Sequence, residues 1–292
     1  MNRRTATYLG FGAVLLWALL ALFTVATRPV PPFQLNAMSF AVAGLAGLVW
    51  CWARGRLGVL RRVPLRVLGF GTLGLFAYHA LYFSALRLAP PAEASLIAYL
   101  WPLFIVLFSG LLLKEPLRLG HLVGAVMGLA GAGLVMSGGV GFSSAHLPGY
   151  GLAFLCALTW SLYSVLSRRL GAVPTEAVTL FCIATAILSV PLHLAMEETA
   201  WPTMATGWLG VAGLGLGPVG LAFFLWDLGV KRGDIRLLGT ASYAAPVLST
   251  LILVATGFTP ASPRILISVL LITGGALVAI RASAAEASDG SV

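Results

Sequence analysis

Seven side chains with polar or ionisable tips lie where an apolar chain has least use for them: Trp17, Tyr78, His79, Tyr99, Trp101, Trp160 and Tyr243. Each is within roughly 5 Å of the midpoint of an apolar run, counted at about 1.5 Å of helical rise per residue. Tyr and Trp in membrane proteins gather instead at the two water interfaces. Phenol, indole and imidazole groups at mid-depth need partners, which a water-filled cavity, a ligand or one another can supply. Tyr82 follows Tyr78 by one turn and Tyr163 follows Trp160 by three residues, each on the face of its predecessor, while Ser161 and Ser164 add hydroxyls. Helix packing is the commoner role for any one aromatic. A set drawn from five runs instead predicts a cavity that holds a planar or amphipathic small molecule by stacking and a few hydrogen bonds. Trp50, Trp52, Trp201, Trp208 and Trp226 fall toward the ends of runs, where an interface belt accounts for them.

Bond-making chemistry has no comparable set of residues. The sequence contains no phosphate-binding glycine loop ending in Lys and Ser or Thr, no HExxH and no paired carboxylates within apolar runs. Cys51, Cys156 and Cys182 lack metal-ligand spacing and read as small apolar residues. Neither an enzyme, a metal site nor a cofactor is expected. His79 is the ionisable group at mid-depth, suited to bonding a substrate or carrying a proton. Glu93 opens a run, Asp227 lies near the end of another, and Glu197 and Glu198 occupy a loop. Without a mid-depth carboxylate, facilitated passage is the expected mode, with proton coupling through His79 as the alternative.

The elements that position these residues follow from composition. With 59% hydrophobic and 9% charged residues and a mean hydropathy of +0.97, the chain is an all-α polytopic membrane protein. A spanning helix needs roughly 20 apolar residues, and ten stretches qualify: Thr7–Thr27, Phe33–Trp52, Val67–Leu88, Ala92–Leu113, Leu119–Ser137, Gly149–Ser167, Thr175–Ala195, Gly207–Val230, Ile235–Gly257 and Pro263–Ile280. Arg3 and Arg4 precede a run of full span length with no small-residue cleavage site, so it reads as a retained helix. Fifteen Lys and Arg fall in loops on one side of the predicted topology and three, Arg28, Arg87 and Arg264, on the other. This asymmetry predicts that the N-terminus and C-terminus are cytoplasmic. The net charge of +9 is therefore a stop-transfer and lipid-phosphate feature, and no nucleic-acid partner is expected.

The halves also align. An offset of 143 pairs Trp17 with Trp160 and Pro31 with Pro174; an offset of 144 pairs Gly71 with Gly215, Tyr99 with Tyr243, Pro102 with Pro246 and Pro116 with Pro260. The expected organisation is a first five-helix repeat over 1–142, a second over 143–281, and a disordered tail over 282–292. Five helices per repeat force the second copy to be inverted, as in many secondary transporters. Pro102 and Pro246 lie near the midpoints of the fourth and ninth spans, predicting paired kinks and a gating role beside a midplane site. Gly120, Gly124, Gly128 and Gly131 in the fifth span, with Gly274 and Gly275 in the tenth, permit close helix contact. That contact fits either a scaffold within one chain or a homodimer, leaving monomer and homodimer both open.

Ten spans in two halves, with "AYLWPLFIVLFSGLLLKEPLRLGHLVGAVMGLAGAGLV" running from the fourth span through a Lys-Glu-Pro turn into a glycine-rich fifth, resemble the EamA-like branch of the drug/metabolite transporter superfamily. Within that branch, "YLWPLF" and "YHALYFSAL" look like the bacterial aromatic amino-acid exporters. The resemblance implies an inner-membrane, multi-pass helical basket that exports Phe, Tyr, Trp and related compounds by alternating access. A broader amino-acid or drug/metabolite exporter, with or without proton coupling, is the alternative, and a membrane-embedded enzyme or sensor is a weaker one from another class. The second half departs from the first, with Ala245 at the position of Trp101 and Phe223 at that of His79, so the site is expected to be asymmetric.

Overall fold

The computed structural model describes residues 1–89, 94, 97–136, 143–170, 172–255 and 263–289. The described elements are helical, and no strand occurs among them. In order they are α1 (Arg3–Ala18), α2 (Leu20–Ala26), α3 (Pro32–Ala53), α4 (Leu57–Leu60), α5 (Leu65–Leu88), α6 (Trp101–Leu113), α7 (Leu119–Met136), α8 (Leu147–Ser167), α9 (Ala177–Met196), α10 (Ala205–Leu216), α11 (Ala222–Arg232), α12 (Ile235–Ala241), α13 (Ala244–Ala255) and α14 (Pro263–Asp289). A π turn, Gly217–Leu221, joins α10 to α11.

Five helical segments are long and apolar enough to cross a membrane: Arg3–Thr24, Pro32–Ala53, Ser144–Leu170, Ala177–Met196 and Ala205–Arg232. Trp101–Leu113, Leu119–Leu134 and Leu266–Ala279 are shorter apolar helices. The fourth and ninth expected spans are interrupted, which shortens their uninterrupted helices. Glu93 and Pro260 lie outside the described residues.

Local sequence sets several boundaries. Asn2 caps α1 by accepting the Thr5 N–H at 2.8 Å. Pro32 opens α3, whose first N–H groups, from Phe33 and Gln34, donate to the Glu197 carboxylate at the far end of α9 at 2.9–3.1 Å. Lys114, in the left-handed conformation at φ 58°, ends α6 and begins the Lys-Glu-Pro turn. The last helix, α14, continues to Asp289. Ala282, Ala284, Ala285 and Ala287 have high helix propensity and extend the turn they follow.

Helix pairing follows a pseudo-two-fold relation between the halves. α3 packs on α9 and α7 on α14, each joining equivalents, and α6 packs on α12, the first part of the span equivalent to its own. The contacts of α1 with α11 and α13 are matched by those of α8 with α5 and α6. The glycine stripe serves these contacts within the chain. A Cβ on Gly124 would lie 2.5 Å from the Gly275 carbonyl oxygen, and one on Gly275 would lie 2.6 Å from that of Gly124. Neither residue tolerates a side chain without separating α7 from α14.

Candidate functional site

The segment "AYLWPLF" is a break between helices. Tyr99 and Leu100 form a turn, after which Trp101 and Pro102 occupy the first turn of α6. The repeat-related break falls at Ser242–Tyr243, with Pro246 in the first turn of α13. The expected kinks are thus turns that start new helices. Proline at the beginning of a helix forfeits no intrahelical bond, whereas in mid-helix it would leave a carbonyl unpaired.

Beside the first break, Trp17 of α1, Trp101 of α6, Trp160 of α8 and Trp226 of α11 converge. Ring centroids are 6.1 Å apart for Trp17–Trp101, 5.8 Å for Trp17–Trp160, 5.0 Å for Trp17–Trp226 and 5.8 Å for Trp101–Trp226. Most pairs meet edge to face, the arrangement the aromatic quadrupole favours. Trp101, Trp160 and Trp226 are buried, while Trp17 is half-buried. The Trp17 indole N–H donates to the Pro218 carbonyl at 3.1 Å, and that of Trp226 donates to Ser164 Oγ at 3.0 Å. Among the described residues, the indole N–H groups of Trp101 and Trp160 have no hydrogen-bond partner. The Ser161 hydroxyl reaches the carbonyls of Trp101 and Ala157 at 2.9 and 2.6 Å, tying α8 to the broken segment.

Tyr78 and His79 of α5 flank this cluster. Tyr78 lies 5.2 Å from Trp160 and stacks on Tyr82 at 6.1 Å. The His79 ring meets Phe40 edge to face at 5.1 Å and Phe223 at 6.2 Å, and its Nδ1 lies 2.7 Å from the Leu75 carbonyl. That carbonyl accepts, which places the proton on Nδ1. Tyr163 is buried at 5.4 Å from Trp160. Tyr78, His79, Tyr82 and Tyr99 all keep partial exposure.

Tyr243 does not join this group. It is fully buried in a second cluster with Val106, Val247 and Ile272, against which Tyr99 also packs. Its ring lies over Gly128, and its hydroxyl accepts the Leu103 N–H at 3.1 Å. Leu103 is the third residue of α6, where an N–H has no partner within the helix. Tyr243 therefore caps the broken helix of the other repeat instead of facing open space. Tyr243→Phe is expected to lower unfolding stability by about 1–2 kcal/mol by stranding that N–H. Denaturant unfolding in detergent measures this, and an unchanged midpoint would refute the capping role.

Sequence reasoning assigned Trp226 to an interface belt, but it is central. Trp50, Trp52, Trp201 and Trp208 are exposed, as a belt requires. The available signal was the offset of 144, which pairs Trp226 with Tyr82. Phe40 and Phe223, stacked at 5.7 Å, were also missed because a phenyl ring at mid-depth carries no polar tip to attract notice.

A second feature joins the halves at the arginine-rich end. Glu115 of the first repeat pairs with Arg168 at 2.9 Å and Arg236 at 3.4 Å, and Arg3 pairs with Asp234 at 2.9 Å. Arg236 also donates to the Pro116 carbonyl, and Arg168 to that of Gly233 at 2.8 Å. Each of these bonds except the last crosses between repeats.

A bundle of apolar helices in two related halves, with an aromatic cluster between them, defines a membrane transporter. The chain belongs to the EamA-like transporter family, which matches it twice, over residues 4–137 and 147–281. It is a multi-pass protein of the bacterial inner membrane. It is 55% identical over 96% of its length to the aromatic amino acid exporter YddG of Ancylobacter novellus, covering 98% of that protein. Identity to the aromatic amino acid exporter YddG of Escherichia coli K12 is 26%, over 95% of this chain and 97% of the other. A crystal structure 54% identical in sequence superposes with a TM-score of 0.92, covering 95% of this chain and 97% of that one.

Proposed function

We propose that the protein exports aromatic amino acids and related amphipathic metabolites by alternating access and facilitated diffusion. The observation that carries this reading is the convergence of Trp17, Trp101, Trp160 and Trp226 from both repeats beside the break at Tyr99–Leu100. Relatives named as aromatic amino acid exporters support the substrate class. In this reading the chain crosses the membrane ten times as two inverted repeats with both termini cytoplasmic. The substrate ring stacks among Trp17, Tyr78, Tyr82 and Tyr99, over a floor of Trp101, Trp160 and Tyr163. The indole N–H groups of Trp101 and Trp160 donate to its carboxylate. His79 borders the site, Tyr243 positions α6, and the breaks before Pro102 and Pro246 let the halves rock.

Uptake of labelled Phe, Tyr and Trp into liposomes containing the purified protein, with Ala, Leu and Lys as controls, tests this. Saturable aromatic uptake without an imposed proton gradient is expected. Uptake that requires the gradient would refute facilitated diffusion, and equal uptake of all six would refute aromatic selectivity.

The Glu115 ion pairs hold the arginine-rich side shut in this reading. Glu115→Ala favours opening there, so the KM for substrate presented from that side is expected to fall about fivefold as the competent fraction rises. An unchanged KM in oriented vesicles would refute the latch.

A further inference from the structure

A cleft of about 600 Å³ lies between α3, the π turn with α11, and residues 174–176. It is separate from the tryptophan cluster: Phe223 meets Trp17 and Trp160 in the cluster, whereas its neighbour Phe224 lines the cleft and meets Trp50 at 6.5 Å. Small residues hollow its walls, with Ala43, Ala46 and Gly47 on α3 facing Gly215 and Gly220 around the π turn. A π turn widens a helix locally and often marks a functional position. Leu216 and Leu221 on the rim are more than half exposed, so the cleft opens sideways onto the surface that lipid bathes.

Charge is confined to one end. Arg56 pairs with Glu176 at 2.6 Å, which neutralises the carboxylate. Arg232, also at this end, is exposed and has no ion pair among the described residues, leaving a net positive mouth. Trp50 borders the mouth, with the Arg54 guanidinium 6.0 Å from its ring. An occupant must therefore be apolar along most of its length and anionic at one end.

We propose that this cleft binds an anionic phospholipid of the leaflet at the arginine-rich side. One acyl chain lies along Ala43, Ala46, Leu221 and Leu228, and the phosphate meets Arg56 and Arg232. Basic pockets between membrane helices favour anionic headgroups in this way.

Native mass spectrometry of the detergent-solubilised protein, titrated with phosphatidylglycerol or phosphatidylcholine of identical chains, tests the assignment. The wild type is expected to bind phosphatidylglycerol about fivefold more tightly, the preference one arginine near a phosphate confers. Arg232→Gln alters an exposed side chain outside the tryptophan cluster and should bring phosphatidylglycerol to the phosphatidylcholine level. Ala46→Trp should abolish the preference by filling the cleft. The assignment is overturned if the wild type shows no preference, if either variant retains it, or if glycerophosphoglycerol competes as well as the intact lipid.

Discussion

Trp101→Ala is expected to lower kcat/KM for aromatic amino-acid exchange by at least about tenfold. The indole touches Trp17, Trp160 and Trp226, and each aromatic pair contributes about 0.5–1.5 kcal/mol beyond its buried area. Removing it takes away both the floor of the proposed site and a donor for the substrate carboxylate. Trp101→Phe separates the two contributions. It keeps an aromatic face but loses the N–H, and a hydrogen bond to a charged group contributes about 1.5–3 kcal/mol, so a loss near tenfold is expected from this variant alone. Initial rates in liposomes, normalised to folded protein, measure both. If Trp101→Ala and Tyr99→Ala each leave transport of every aromatic substrate intact, the proposed site is wrong.

Lys231→Met is expected to destabilise the folded protein by about 3–5 kcal/mol, the cost of breaking a buried ion pair by removing one partner. Lys231 Nζ lies 2.8 Å from Asp227 Oδ1, and the side chains are 5% and 3% exposed. Lys231 also donates to the Val173 carbonyl at 3.0 Å, while the Thr175 hydroxyl donates to Asp227 at 2.7 Å. Without the ammonium, the carboxylate keeps its hydroxyl partner and loses its paired cation. The double variant Asp227→Asn/Lys231→Met removes both charges and should recover more than half of the loss. Thermal unfolding in detergent across this cycle decides the matter: a double variant as unstable as Lys231→Met would show that the charge of Asp227 is not the source.

These two sites differ in how far they were legible beforehand. Trp101 was singled out because an indole in mid-span contradicts the preference of Trp for interfaces, a conflict visible without coordinates. Asp227 was placed near the cytoplasmic end of its span by counting residues, which locates depth along a helix but not the direction in which a side chain points. Burial of Asp227 depends on Thr175, 52 residues earlier, and on the Val173 carbonyl. Trp226 was misread for the same reason: depth pointed to an interface belt, while rotation about the helix turns its ring toward Trp17. Tyr243 shows the reverse error. Its depth fits a cavity, but its hydroxyl is committed to Leu103, 140 residues away.

The sequence by itself determined an all-helical membrane chain, because hydrophobic run length is a one-dimensional property that lipid reads directly, and its motifs carried the resemblance to the EamA-like family. It also pointed to kinks at Pro102 and Pro246, where the structure instead has turns at Tyr99–Leu100 and Ser242–Tyr243 just before each proline. Only the tertiary structure decided that Trp226, Phe40 and Phe223 join Trp17, Trp101 and Trp160, that Tyr243 caps a helix, and that Glu115 links the two halves. Those outcomes depend on rotation about each helix axis and on which helices meet. Both are set by packing among residues far apart in the chain, where the apolar pattern of a membrane helix is nearly the same on every face.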